Sequence, residues 1–240
     1  MSERRKLSKP TIIVLIVVAV IVAVTLILGN VLLVWWVYPY IWYKRIVFNI
    51  DNTKCEKGKV VFVGDSITDS CDLDKYYEGL GAINRGIAGD TSGGVLNRMK
   101  ISAYDLKPSL IVLLIGTNDY QRIPPHKNEN ILKNYRKILA GFKEKLPDVP
   151  VIVQSVYPIA DVSFHKHYEY GHGHIEELNA GIKELAEEYG YYYADVYSLL
   201  VEKDEEMNMN YSKDGLHPND AGYQVISAYL RPIIDSLLVG

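Results

Sequence analysis

Five short runs of mostly apolar residues recur along this chain, separated by segments with a helical apolar stripe. They are Lys59–Val63, Ala82–Asn84, Leu110–Ile115, Val149–Val156 and Tyr191–Val196. The first four run into Gly64, Gly86, Gly116 and Pro158. Continuous apolar strands are those buried on both faces, as in a parallel sheet covered by helices. Between them, residues 129–146 place Ile131, Leu132, Tyr135, Ile138, Leu139 and Phe142 at helical spacing. Residues 174–189 do the same with Ile175, Leu178, Ile182, Leu185 and Ala186. Residues 219–238 carry Val225, Ile226, Tyr229 and Ile233 behind a cap at Asn219 or Asp220, and a weaker helix is expected at 93–101. Strand and helix in alternation predict a doubly wound α/β fold with a mostly parallel, five-stranded sheet flanked by helices. Such sheets bind ligands beyond the carboxyl ends of their strands, so chemistry should sit just after the runs.

The N-terminal part is different. No charged residue occurs from Pro10 to Tyr43, and Ile12 to Leu28 is nearly pure Ile, Val, Leu and Ala. A helix over 11–37 would be about 40 Å long, and a bilayer's hydrocarbon core is about 30 Å thick. A cleaved signal peptide has a shorter apolar core followed by small residues, whereas Trp35, Trp36, Tyr38, Tyr40, Trp42 and Tyr43 follow here. That cluster has the composition of an interfacial aromatic belt. The expected order is therefore a cytoplasmic basic N-terminus at 1–10, one transmembrane helix serving as an uncleaved signal anchor at 11–37, an interfacial tether at 38–57 and a folded domain at 58–240. Arg4, Arg5, Lys6 and Lys9 precede the span and Lys44 and Arg45 follow it. This excess places the N-terminus in the cytoplasm and the domain outside, at the cell membrane.

Charge excludes one class of partner. Of 26 basic and 29 acidic side chains, the first 43 residues hold four and one, which leaves the body with a net charge of -6. An acidic body gives no footing for nucleic acid. Cys55 and Cys71 flank the first run, whose five residues span about 17 Å. Bridged Cα atoms lie within about 7 Å, so two free thiols are expected.

Directly after the first run stands Gly64-Asp65-Ser66-Ile67-Thr68. After the second comes Asn84-Arg85-Gly86-Ile87-Ala88-Gly89-Asp90, and after the third Gly116-Thr117-Asn118-Asp119. Near the C-terminus lies Asp214-Gly215-Leu216-His217-Pro218. A serine hydroxyl becomes a nucleophile when a base takes its proton, and the base is a histidine held in one tautomer by a carboxylate. Asp214 and His217, three residues apart, can meet within one turn.

In their order and spacing, the four blocks resemble the SGNH/GDSL hydrolase family over about residues 58–235. The resemblance implies a flavodoxin-like SGNH hydrolase fold, with Ser66 as nucleophile, His217 as base and Asp214 as its orienting acid. It further implies an oxyanion hole from the backbone N–H of Ser66, the backbone N–H of Gly86 and the side-chain amide of Asn118, with Asp65 and Gly116 in support. A glycine at 86 leaves no Cβ between substrate and N–H. The serine does not stand in Gly-x-Ser-x-Gly, so no nucleophile elbow is indicated and a shallower site is expected. No cofactor is implied.

The stretch Gly86–Ser92, followed by Val95-Leu96-Asn97-Arg98, is similar to the platelet-activating-factor acetylhydrolase branch of that family. The implied reaction is hydrolysis of short-chain, above all O-acetyl, carboxylic esters on a glycan or a lysolipid at the outer face of the membrane. The rival readings are a lysophospholipase or thioesterase of the same family, and a non-catalytic binding module that keeps the fold. Four histidines at 165, 167, 172 and 174 raise the thought of zinc. The segment 163–174 lacks cysteine and holds two glycines, so it reads as a loop flanking the active site, and no metal is expected.

Overall fold

The structure is a computed structural model that describes residues 39–121, 126–162, 173–202 and 206–239. Five parallel strands run in the order β2-β1-β3-β4-β5: β1 Val60–Gly64, β2 Ile83–Gly86, β3 Leu110–Leu114, β4 Val151–Gln154 and β5 Tyr192–Ala194. In register, Val60–Gly64 lies beside Leu110–Leu114, and Gly64 pairs with both Gly86 and Leu114. The carboxyl ends of β1, β2 and β3 therefore finish level. Residues 39–51 are helical and are called α1. The later helices are α2 Ser66–Asp69, α3 Leu73–Tyr76, α4 Ser92–Leu96, α5 Met99–Ser102, α6 Asn128–Lys145, α7 Ile175–Glu188, α8 Tyr197–Leu200 and α9 Asp220–Val239.

Two apolar layers cover the sheet. On one face Val61, Val63, Ile111, Leu113, Val151 and Val153 pack with the stripes of α6 and α7. On the other, Val60, Phe62, Leu110, Val112 and Ile152 pack with Ile226, Leu230 and Ile234 of α9. Alternate residues of each strand point to opposite layers, which is why β1 and β3 are apolar at every position.

Four of the sequence readings shift. The run 149–156 pairs only over Val151–Gln154, yet Val156, Tyr157, Ile159 and Ala160 beyond it remain buried as a floor under the loops. Apolar composition reports burial there, not pairing. Strand β2 extends to Gly86 and holds Arg85, a buried cation that had broken the apolar run. The helix expected at 93–101 is two short helices, α4 and α5, interrupted at Asn97 and Arg98. Finally, the compact body is Lys44–Gly240 and begins well before residue 58. The segment read as a tether is part of it: Phe48 is buried, and Asn52 donates to the Ile101 carbonyl at 2.7 Å while accepting from Arg85 at 2.9 Å.

Among the described residues no helix is long and apolar enough to cross a membrane. The expected span at 11–37 lies outside the described residues. Cys55 and Cys71 are both free.

Candidate active site

Ser66 is the first residue of α2, directly beyond β1. The turn forms because Asp65 caps the helix, a carboxyl oxygen accepting the N–H of Ile67 at 3.0 Å. Tyr223 of α9 braces α2 from below, donating its hydroxyl to the Ile67 carbonyl at 2.7 Å.

Asp214 and His217 come from the loop before α9. Asn219 caps that helix by accepting the N–H of Gly222 at 3.1 Å, and Ser212 bridges to Pro218 across the loop. The loop brings His217 Nε2 to 2.9 Å from Ser66 Oγ, and His217 Nδ1 to 2.7 Å from Asp214 Oδ2. The other carboxylate oxygen of Asp214 accepts the N–H groups of His217 at 2.8 Å and Leu216 at 3.0 Å. Partial burial raises the Asp214 carboxyl. The His217 ring and those two N–H groups outweigh burial and hold it well below the usual carboxylate range. An ionised Asp214 keeps the proton on His217 Nδ1 and leaves Nε2 able to take one from a hydroxyl. Ser212 sits beneath the loop, fully buried. Its hydroxyl lies 2.8 Å from the His217 carbonyl and 3.2 Å from Asp214, and accepts the N–H of Gly215 at 2.9 Å. Sequence reading passed over Ser212, since a lone serine two residues before an aspartate carries no signal.

The expected oxyanion donors fare differently. Asn118 lies in a 3-10 turn, Thr117–Asp119, after β3, and its amide donates to the Asp90 carbonyl at 2.9 Å. Gly116 precedes it with φ 135°, a conformation open to glycine. Gly86 does not sit as the sequence suggested. Its N–H donates to the side-chain oxygen of Asn84 at 2.9 Å. A Cβ on Gly86 would fall 2.1 Å from the backbone nitrogen of Asp69, so the glycine is required for packing against α2 rather than for exposing its N–H. Further along the same loop, Gly89 has φ 75° and precedes Asp90, whose carbonyl Asn118 holds.

Behind the site lies a buried network of charges. Arg98 donates to Asp90 at 2.6 Å, to the Arg85 carbonyl at 2.8 Å, to Ser102 at 2.7 Å and to the Gly64 carbonyl at 2.8 Å. One guanidinium thus fastens the ends of β1 and β2 and the loop between β2 and α4. Asp119, also buried, accepts the N–H and hydroxyl of Ser92 at 2.8 and 2.7 Å and lies 2.9 Å from His126 Nδ1. Burial, with Asp90 and Asp119 nearby, pushes the Asp65 carboxyl up to about 7, and its Oδ2 has no hydrogen-bond partner. Arg98 and Asp90 were visible in the sequence only as part of a resemblance.

Among the described residues no group of three or more His, Cys, Asp or Glu could hold a metal ion. Most of the histidine-rich loop, including His165, His167 and His172, lies outside the described residues. His174 stands at the start of α7, where its carbonyl accepts from Asn128 at 2.9 Å.

Residues 62–225 match the family of GDSL-like lipases and acylhydrolases. A platelet-activating factor acetylhydrolase IB subunit beta homolog from Drosophila melanogaster is 31% identical over 104 residues, 41% of this chain and 44% of the relative. This chain thus spans about half the length of that relative. The alpha2 subunit from Rattus norvegicus is 27% identical over 198 residues, 77% of this chain and 80% of the relative. Among solved structures, one described as a platelet activating factor from Streptococcus pneumoniae superposes with a TM-score of 0.79 at 26% identity, covering 88% of this chain and 98% of the other. The strand order, the four blocks and the matched span agree, and the chain belongs to the GDSL-like lipase/acylhydrolase family.

Proposed function

We propose that this chain is a serine esterase that hydrolyses short-chain carboxylic esters, acetyl esters above all, through an acyl-Ser66 intermediate. The observation that carries the reading is the 2.9 Å approach of Ser66 Oγ to His217 Nε2, with Asp214 on the far side of the ring. His217 takes the hydroxyl proton as the oxygen attacks the ester carbonyl, then gives it to the departing alcohol. Water, deprotonated by the same nitrogen, releases the acid and restores Ser66. Negative charge on the tetrahedral oxygen needs donors fixed in place beforehand. The Ser66 N–H at the start of α2 and the Asn118 amide supply two. The third falls to the 86–90 loop, where the Gly86 N–H already donates to Asn84 and would have to leave it to serve.

Acetyl preference is supported by the relatives, which are named as acetylhydrolases. The charge-free segment before Lys44 supports membrane attachment through 11–37 with the domain on the outer face. An enzyme held there would meet O-acetylated glycans or lysolipids. The test is labelling of the purified protein by a fluorophosphonate, wild type against Ser66→Ala, followed by acetyl, butyryl and long-chain esters. Labelling lost in the variant and rates falling with chain length support the reading. Label retained by the variant removes Ser66 as nucleophile. Rates rising with chain length replace the acetylesterase by a lysophospholipase of the same family.

A further inference from the structure

We propose that Lys44 is a positioning residue for this reaction, acting through Asp69 on the 86–90 loop, which carries the third oxyanion donor. The inference rests on the serine esterase reading above. Asp69 is the last residue of α2, the helix that opens with Ser66. One of its oxygens lies 2.7 Å from Lys44 Nζ, with side chains 20% and 12% exposed for Lys44 and Asp69. The other accepts the N–H of Ala88 at 3.1 Å. A single carboxylate therefore joins the nucleophile helix to the residue beside Gly89, and the close fit of Gly86 against the Asp69 backbone makes that junction rigid.

The charge matters as much as the position. A tetrahedral intermediate places a negative oxygen among these donors. The Asp69 carboxylate, bonded to Ala88 of the 86–90 loop, would repel that oxygen more strongly without the Lys44 ammonium, and so buried a setting screens the repulsion poorly. The Lys44 ammonium cancels the carboxylate and holds it in register. Docking of α1 has other contacts besides Lys44, whose Nζ also lies 5.3 Å from the Phe48 ring: Phe48 is buried against the body, its ring 4.5 Å from the Arg85 guanidinium, and Asn52 makes two further bonds. Arg45, the next residue, reaches the Gly94 carbonyl of α4 at 3.3 Å. Lys44 is also the first charged residue after the stretch that begins at Pro10. The segment adjoining that apolar stretch thus supplies a charge to the esterase site.

The experiment uses the full chain in detergent, with p-nitrophenyl acetate as substrate and turnover counted per fluorophosphonate-labelled site. Lys44→Met should lower kcat about tenfold with little change in KM, and Lys44→Arg should restore most of it. In an Asp69→Asn background, where no carboxylate needs cancelling, Lys44→Met should have far less effect on kcat. Unchanged turnover per labelled site in Lys44→Met overturns the proposal, even if less protein is folded. So does a tenfold loss that persists undiminished in the Asp69→Asn background. Activity surviving in Ser66→Ala would instead sink the esterase reading on which the proposal stands, and that variant is assayed beside the others.

Discussion

The guanidinium of Arg98 lies 2.6 Å from the carboxylate of Asp90, and neither side chain is more than 2% exposed. Burial presses the Arg98 pKa down, but Asp90 opposes it, and three further acceptors surround the cation. A buried pair of this kind is costly to break from one side, because the remaining charge has neither partner nor water. Arg98→Met should therefore lower stability by roughly 3–5 kcal/mol, read as a shifted urea midpoint. A midpoint shift as small as that of a typical surface substitution would show that the strand ends do not depend on Arg98.

Asp65 gives a pH dependence. Its carboxyl titrates near 7 in the folded protein against a reference value of 3.8. Between those two values the folded chain holds a proton that the unfolded chain has lost. Stability should then fall as pH rises from 4 to 7 and level off above, by at most roughly 4 kcal/mol from this group. Urea midpoints measured across that range should slope downward in the wild type. The slope should flatten in Asp65→Asn, which keeps the oxygen that caps Ile67. A wild-type midpoint that rises over the same range would contradict the protonated, buried carboxyl.

Asn118→Ala removes a fixed side-chain donor while leaving Ser66, His217 and Asp214 in place. The expected cost is about 2.7–4 kcal/mol of transition-state stabilisation, seen chiefly in kcat. Fluorophosphonate labelling should slow correspondingly, since phosphonylation builds a comparable negative oxygen. A variant that loses KM alone would make Asn118 a substrate-binding group.

Ser212 tests the loop that carries Asp214 and His217. Its hydroxyl receives the Gly215 N–H and faces the His217 carbonyl, so Ser212→Ala leaves buried polar groups unpaired. Loss of about 1–3 kcal/mol in stability is expected, together with a lower kcat as His217 loses its fixed ring position. Thermal unfolding and initial rates on the same sample separate the two effects; full activity at reduced stability would confine Ser212 to folding.

The strands were legible because both faces of a parallel sheet are apolar, so each run announces itself without a partner. Arg85 shows the limit: one buried cation, held by Asn52 and Cys55 from far along the chain, cut short the reading of β2. The blocks around Ser66, Asn118 and His217 were legible because each follows a strand or precedes a helix with a clear cap. What the sequence hid was pairing. It did not show that the Gly86 N–H is held by the side chain of Asn84. It did not show that 44–57 belongs to the body, because Phe48 and Asn52 are ordinary residues until their contacts are known. It left Arg98 in a weak helical pattern, where an arginine reads as a solvated face.

Ser66 and His217 stand 151 residues apart in sequence. The last strand and the loop after it must be in place before the imidazole can reach the hydroxyl, and α9 must dock for Tyr223 to hold the Ile67 carbonyl beside Ser66. During synthesis, then, every earlier length of the chain is chemically inert toward esters. Contacts of such long range also form late and slowly in folding. The onset of hydrolysis is thus a timestamp for the closing step of folding, and a cut between Ala194 and His217 that lets the C-terminal piece drift away should silence the enzyme while leaving all five strands on one piece.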